Sequence, residues 1–132
     1  MRLATPISHL FRDEEAGARI AAASDCLECR DWCVESRLPR QELFHFDQGI
    51  QICWDREARA ELEHICSLKA DLNLVTFQIP SCYDSPALEG RFFQPGGRRL
   101  GRREMLEAIR DNVSWLRSVL RPGVDIGIEN NN

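Results

Sequence analysis

The sequence predicts a single-domain α/β protein with about four parallel strands alternating with helices. Three observations predict it. Short apolar segments with a period of two alternate with longer segments of helical period. The stretches between strand-like segments are long enough for parallel crossovers. The length, 132 residues, sits near the usual size of one domain.

The elements follow in chain order. Residues 3–11 read as a first strand. Asp13 then offers a helix N-cap, with Glu14 and Glu15 placed where carboxylates favour the helix dipole. The alanine-rich run 16–23 continues that helix. Cys26 to Trp32 reads as a short strand, and the polar stretch 34–42, which holds Pro39, as a loop. Residues 43–54 place Phe44 and Phe46, then Ile50, Ile52 and Trp54, at a period of two. That pattern predicts extended chain with a turn at Asp47-Gln48-Gly49.

Asp55 caps a helix reaching about residue 69, with Ala58, Leu62, Ile65 and Cys66 on one face. Residues 74–79 form a strand that stops at Pro80. The stretch 81–101 is rich in Gly, Pro and Arg, a length and composition that suit a lid or binding loop. Residues 102–120 give the clearest helix, from Met105, Ile109, Val113, Leu116 and Leu120, with Leu106 and Trp115 widening the stripe. Arg121-Pro122-Gly123 ends it, and 124–129 is a final strand.

Composition excludes several function classes. Apolar residues are 43% and charged residues 29%, which is globular rather than disordered. The net charge of −4 argues against a nucleic-acid binder driven by bulk charge. No apolar run approaches the ~18–20 residues of a membrane span. Nor does the N-terminus read as a signal peptide, so the expected compartment is the cytoplasm. Of the 17 basic residues only Lys69 is lysine, a bias that by itself assigns no function.

Six cysteines in a chain without a secretion signal are expected to be reduced. Cys26, Cys29 and Cys33 cluster, but on a strand Cys26 and Cys29 point to opposite faces and cannot share a metal. Two roles stay open for the cluster: small buried side chains, or a thiol metal or redox site.

The last strand carries the candidate chemistry. Val124, Ile126 and Ile128 share one face, and Asp125, Gly127 and Glu129 the other. In a barrel the second face points inward and its C-terminal end opens on the active site. Glu129 is therefore a candidate catalytic acid/base and metal ligand. By the same alternation Gln78 faces inward at the end of its strand and is a candidate substrate-binding residue. His9, at the end of the first strand, is a weaker candidate for the same role. His45, among aromatics, and His64, on a helix, read as structural or surface residues.

The order of elements resembles the N-terminal half of the xylose isomerase-like TIM-barrel superfamily, which holds sugar isomerases and epimerases and also endonuclease IV. The matching pieces are Leu27-Glu28-Cys29-Arg30-Asp31 as second strand and Val75-Thr76-Phe77-Gln78-Ile79-Pro80-Ser81 as third. Asp125-Ile126-Gly127-Ile128-Glu129-Asn130-Asn131 is similar to the family's fourth strand, which ends in Glu-Asn. The resemblance implies a partial (β/α)8 barrel and places the first ligand of a divalent metal (Mn, Mg, Co or Zn) on Glu129. It implies a metal-dependent isomerase or epimerase of a small sugar or related polyol. Relatives often carry a histidine on the third strand where this chain has Gln78, which weighs against the multi-zinc, phosphodiester-cleaving branch.

A whole barrel needs roughly 200–250 residues. The expectation is therefore a fragment of a full barrel, inactive alone because one carboxylate does not hold a catalytic metal. The metal then requires the missing half or a partner. The alternatives are a half barrel completed by homodimerisation, acting as a non-catalytic interaction module, and a small independent α/β domain. The expected partner is a small-molecule substrate, with no nucleic acid and no membrane.

Overall fold

The computed structural model describes residues 2–47, 52–79, 81–90 and 92–130. Among these, five strands form one parallel sheet: β1 (Ala4–Pro6), β2 (Cys26–Arg30), β3 (Leu43–Phe46), β4 (Leu74–Ile79) and β7 (Asp125–Asn130). They lie side by side in chain order. Three helices connect them: α1 (Glu14–Ala23), α2 (Arg56–Leu68) and α3 (Arg102–Val119). A two-stranded antiparallel hairpin, β5 (Ala87–Glu89) with β6 (Phe92–Gln94), stands apart from the sheet.

The helices start where the capping chemistry is. Asp13 accepts from the Ala16 N–H at 2.8 Å, and Asp55 accepts from the Ala58 N–H at 2.9 Å. Each satisfies an N–H that has no partner within its helix. The α3 start uses Glu104, which accepts from the Gly101 N–H at 2.8 Å. At its other end the chain turns through Gly123, whose φ of +90° suits a residue without Cβ.

Alternation gives the sheet two different faces. Cys29, Phe44, Phe46, Val75 and Phe77 are buried on one face. Leu62 and Ile65 of α2 and Leu116 of α3 join them in a single core. Both helices therefore cover the same face. Trp54 fills the gap beyond β3, with its ring 4.7 Å from Phe77 and 5.5 Å from Phe46. Asn112, buried in α3, holds the chain there: it donates to the Ile52 carbonyl at 2.8 Å and accepts from the Trp54 N–H at 3.3 Å.

Several expectations change. The first strand ends at Pro6, and His9 lies on a 3-10 turn, His9–Arg12, rather than on the strand. The ladder makes one more bond, the Ile7 N–H donating to the Glu28 carbonyl at 3.0 Å, before Ser8 caps the turn by accepting from the Leu10 N–H. The second strand stops at Arg30 and passes into a 3-10 turn, Asp31–Cys33. Among the described residues of 43–54, the strand covers Leu43–Phe46, while Ile52 and Trp54 are buried without belonging to a strand. Gln48, Gly49 and Ile50 lie outside the described residues.

Among the described residues the parallel strands number five rather than about four, and the Asp125–Asn130 strand is the fifth of them. The stretch 81–101 contains a hairpin rather than continuous loop. Leu106 does not widen the buried stripe of α3; it is 45% exposed, and the buried residues of the helix are Asn112 and Leu116.

Candidate functional site

The face opposite the helices carries the polar side chains in register. Arg30, His45, Thr76 and Gly127 form one row across β2, β3, β4 and β7. Gln78 and Glu129 are paired one row nearer the C-terminal edge. Asp47 follows directly after β3. C-terminal ends of neighbouring parallel strands are where α/β sheets bind ligands.

His45 is the centre of this group. Its side chain is 5% exposed. Nδ1 lies 2.7 Å from Thr76 Oγ1. Nε2 lies 3.1 Å from Asp47 Oδ1 and 3.5 Å from Glu129 Oε2. A buried imidazole held at both nitrogens keeps one orientation and one tautomer. The carboxylate oxygens of Asp47 and Glu129 only accept, so Nε2 is the nitrogen that donates to them.

Around that pair the remaining groups hold Asp47. Arg30 donates from Nη1 to Asp47 Oδ2 at 3.2 Å and from Nε to Glu28 Oε1 at 2.5 Å. The Asp47 N–H donates to Asp31 Oδ2 at 3.0 Å. Gln78 Nε2 donates to the Asp47 carbonyl at 3.3 Å. The Glu28 and Asp47 carboxylates favour the charge on Arg30 against the cost of its partial burial. The Glu129 side chain, 53% exposed, presents its carboxylate to solvent at the edge of the group.

Gly127 makes the row close-packed. A Cβ there would stand 2.8 Å from Thr76 Cγ2. The space where a side chain at residue 127 would stand is thus taken by the Thr76 methyl.

Of the sequence candidates, the structure brings Glu129 and Gln78 to this group. His9 is exposed on its 3-10 turn. His45, read from sequence as structural, is the residue the others surround. Its signal was the alternation Phe44-His45-Phe46, which puts the imidazole opposite two buried aromatics. Within the arginine-rich stretch, Arg98 is paired with Glu104 at 2.8 Å and with Asp84 at 3.9 Å, at the start of α3. Arg91 lies outside the described residues.

The divalent metal implied by the resemblance was tested against this donor set. Among the described residues, no three His, Cys, Asp or Glu side chains are placed to hold a metal ion. His45 Nε2 faces the two carboxylates at hydrogen-bond range, so the donors are directed at one another and not at a shared point. The residues present do not by themselves fit the metal. What they can do is accept, hold and return a proton beside hydrogen-bonding groups suited to hydroxyls.

No helix among the described residues is long and apolar enough to cross a membrane. No family model, no curated protein and no solved structure matches the chain.

Proposed function

We propose that the chain forms the first five strands of a (β/α)8 barrel and supplies one wall of its acid–base site. The reaction we assign is isomerisation or epimerisation of a small sugar or related polyol. The barrel reading is supported by strands in chain order with α2 and α3 on one face; a doubly wound sheet reverses its order and is covered on both faces.

One observation carries the functional reading: His45 sits within 3.5 Å of both Asp47 and Glu129 at the C-terminal edge of the sheet. Isomerisation moves a proton from a carbon beside a carbonyl while the oxygens exchange theirs. Glu129 accepts the carbon-bound proton from its exposed position. His45, held by Thr76 and Asp47, donates to the developing oxyanion and takes a proton back from the neighbouring substrate hydroxyl, while Glu129 returns its proton to the adjacent carbon. Gln78 orients a substrate hydroxyl.

The test is protein-observed NMR of the His45 imidazole during titration with aldoses, ketoses and polyols. Saturable shifts are expected, lost in Glu129→Gln and weakened about tenfold in Gln78→Ala, the loss of one polar contact. Absence of saturable shifts with every sugar and polyol would sink the reading.

A self-associating chain is the second reading. It is favoured by Ile128, 48% exposed on β7, a strand paired on one side only among the described residues. Sedimentation showing a monomer at every concentration would remove it.

A further inference from the structure

Cys29 ends the core face of β2, and Cys33 closes the 3-10 turn that follows. Their sulfurs are 3.8 Å apart. Cys29 is fully buried, and Cys33 is only partly so. The turn folds Cys33 back so that the Arg30 N–H donates to its sulfur at 3.1 Å. Lys69, the single lysine of the chain, is fixed alongside by the Ser36 carbonyl at 3.0 Å and Gln41 Oε1 at 2.8 Å.

We propose that Cys29 and Cys33 form a dithiol site whose substrate is a hydroperoxide, with Cys33 as the attacking and Cys29 as the resolving sulfur. This goes beyond the acid–base reading and does not depend on it. Three features of the geometry assign the roles. Solvent reaches Cys33 and not Cys29. Cys33 receives the N–H that stabilises a thiolate. Closure to a disulfide asks the sulfurs to approach by roughly 1.8 Å, within reach of χ1 rotation in a short turn.

The chemistry balances in two steps. The Cys33 thiolate attacks the peroxide oxygen, the O–O bond breaks, and hydroxide or alkoxide leaves, giving a sulfenic acid. The Cys29 thiol then attacks that sulfur; the S–S bond forms, and the sulfenic oxygen departs with the thiol proton as water. The peroxide is reduced by two electrons and the dithiol is oxidised by two.

The thiol ionisation agrees with this direction. Cys33 is drawn down to about 7 by the hydrogen bond from Cys29, the Arg30 N–H and the charges of Lys69 and Arg30. Cys29 is pushed up by its bond to Cys33 and by burial. Cys66 provides the contrast: burial alone pushes it up to about 11.

The site touches the polar face through Arg30. Its backbone N–H holds Cys33, while its side chain holds Glu28 and Asp47.

The experiment treats the reduced full chain with an equivalent of hydrogen peroxide at about neutral pH. Trypsin cutting after Arg30 separates Cys29 from Cys33, so a disulfide links two peptides that tandem mass spectrometry can assign. A Cys29–Cys33 link is expected in the wild type and in Cys26→Ser. In Cys29→Ser, dimedone is expected to label Cys33. Iodoacetamide labelling of Cys33 should rise only about tenfold from pH 6 to pH 8, against nearly a hundredfold for an ordinary thiol. Recovery of both thiols unoxidised, arrest of Cys33 at sulfinic acid, or a link through Cys26 or Cys53 instead would overturn the proposal. The wild-type map stands even where a variant fails to fold.

Discussion

Thr76 Oγ1 lies 2.7 Å from His45 Nδ1, across the β3–β4 pair and 31 residues away in sequence. The bond fixes the ring so that Nε2 faces Asp47 and Glu129. It joins a hydroxyl of ordinary strand residue type to the one buried histidine of the sheet. Thr76→Val keeps the shape and removes the oxygen. We expect a stability loss of about 1–2 kcal/mol, because a buried nitrogen loses its partner. Urea unfolding measures it, and the His45 shifts on sugar titration should shrink in the same variant.

Gly127 tests the packing of that row. Gly127→Ala would bring a Cβ to 2.8 Å of the Thr76 methyl, with β4 and β7 fixed in register. A loss of about 1–3 kcal/mol is expected from the overlap. Thr76→Ser removes the methyl and keeps the hydroxyl. The double variant should therefore recover most of the loss, which a double-mutant cycle reads directly. Additive losses would show that the contact is not the cause.

Glu104 sets a pH dependence. The Arg98 guanidinium, then the Gly101 N–H, hold its carboxyl down to about 2 from an ordinary 4.5. A lowered folded-state value stabilises the fold above the ordinary value and loses its effect as pH falls toward 2. Glu104→Gln should therefore lower the melting temperature at neutral pH and converge with wild type near pH 2. The ion pair is open to solvent, with the Arg98 and Glu104 side chains 60% and 43% exposed, so salt should shrink the difference.

Cys66 should behave opposite to Cys33. With its thiol pushed up to about 11 by burial against the core, it should resist alkylation at pH 8 in the folded chain. Unfolding in urea should expose it. Mass mapping of labelled peptides with and without denaturant checks both halves.

The core contact between α3 and the sheet rests on Leu116, fully buried. Leu116→Ala should cost about 2–5 kcal/mol, from lost transfer energy and the cavity left behind. Thermal unfolding of this variant against Leu106→Ala, at an exposed position of the same helix, separates core from surface.

Much of the fold was legible along the chain. The apolar run ending at Ile79, the helical period from Met105 to Leu116 and the caps at Asp13 and Asp55 each predicted their element. Alternation alone placed Gln78 and Glu129 on one face. These signals are local: each depends on residues within two turns of helix or one strand. Residues 43–54 alternate as extended chain, but the alternation does not say which part of them pairs with neighbouring strands; among the described residues that is Leu43–Phe46. The hairpin β5–β6 was missed because strands this short carry little periodicity.

The residue chemistry and the inward or outward sense of each strand were determined by the sequence itself. Which strands lie side by side was decided only by tertiary structure, because crossovers of different length bring distant segments into register. That is why His45 looked like one more residue among aromatics. Its meaning comes from Thr76, Asp47 and Glu129, and the sheet alone sets them around it. The same holds for Cys29 and Cys33: the spacing was visible, but the 3-10 turn that folds one sulfur to within 3.8 Å of the other was not.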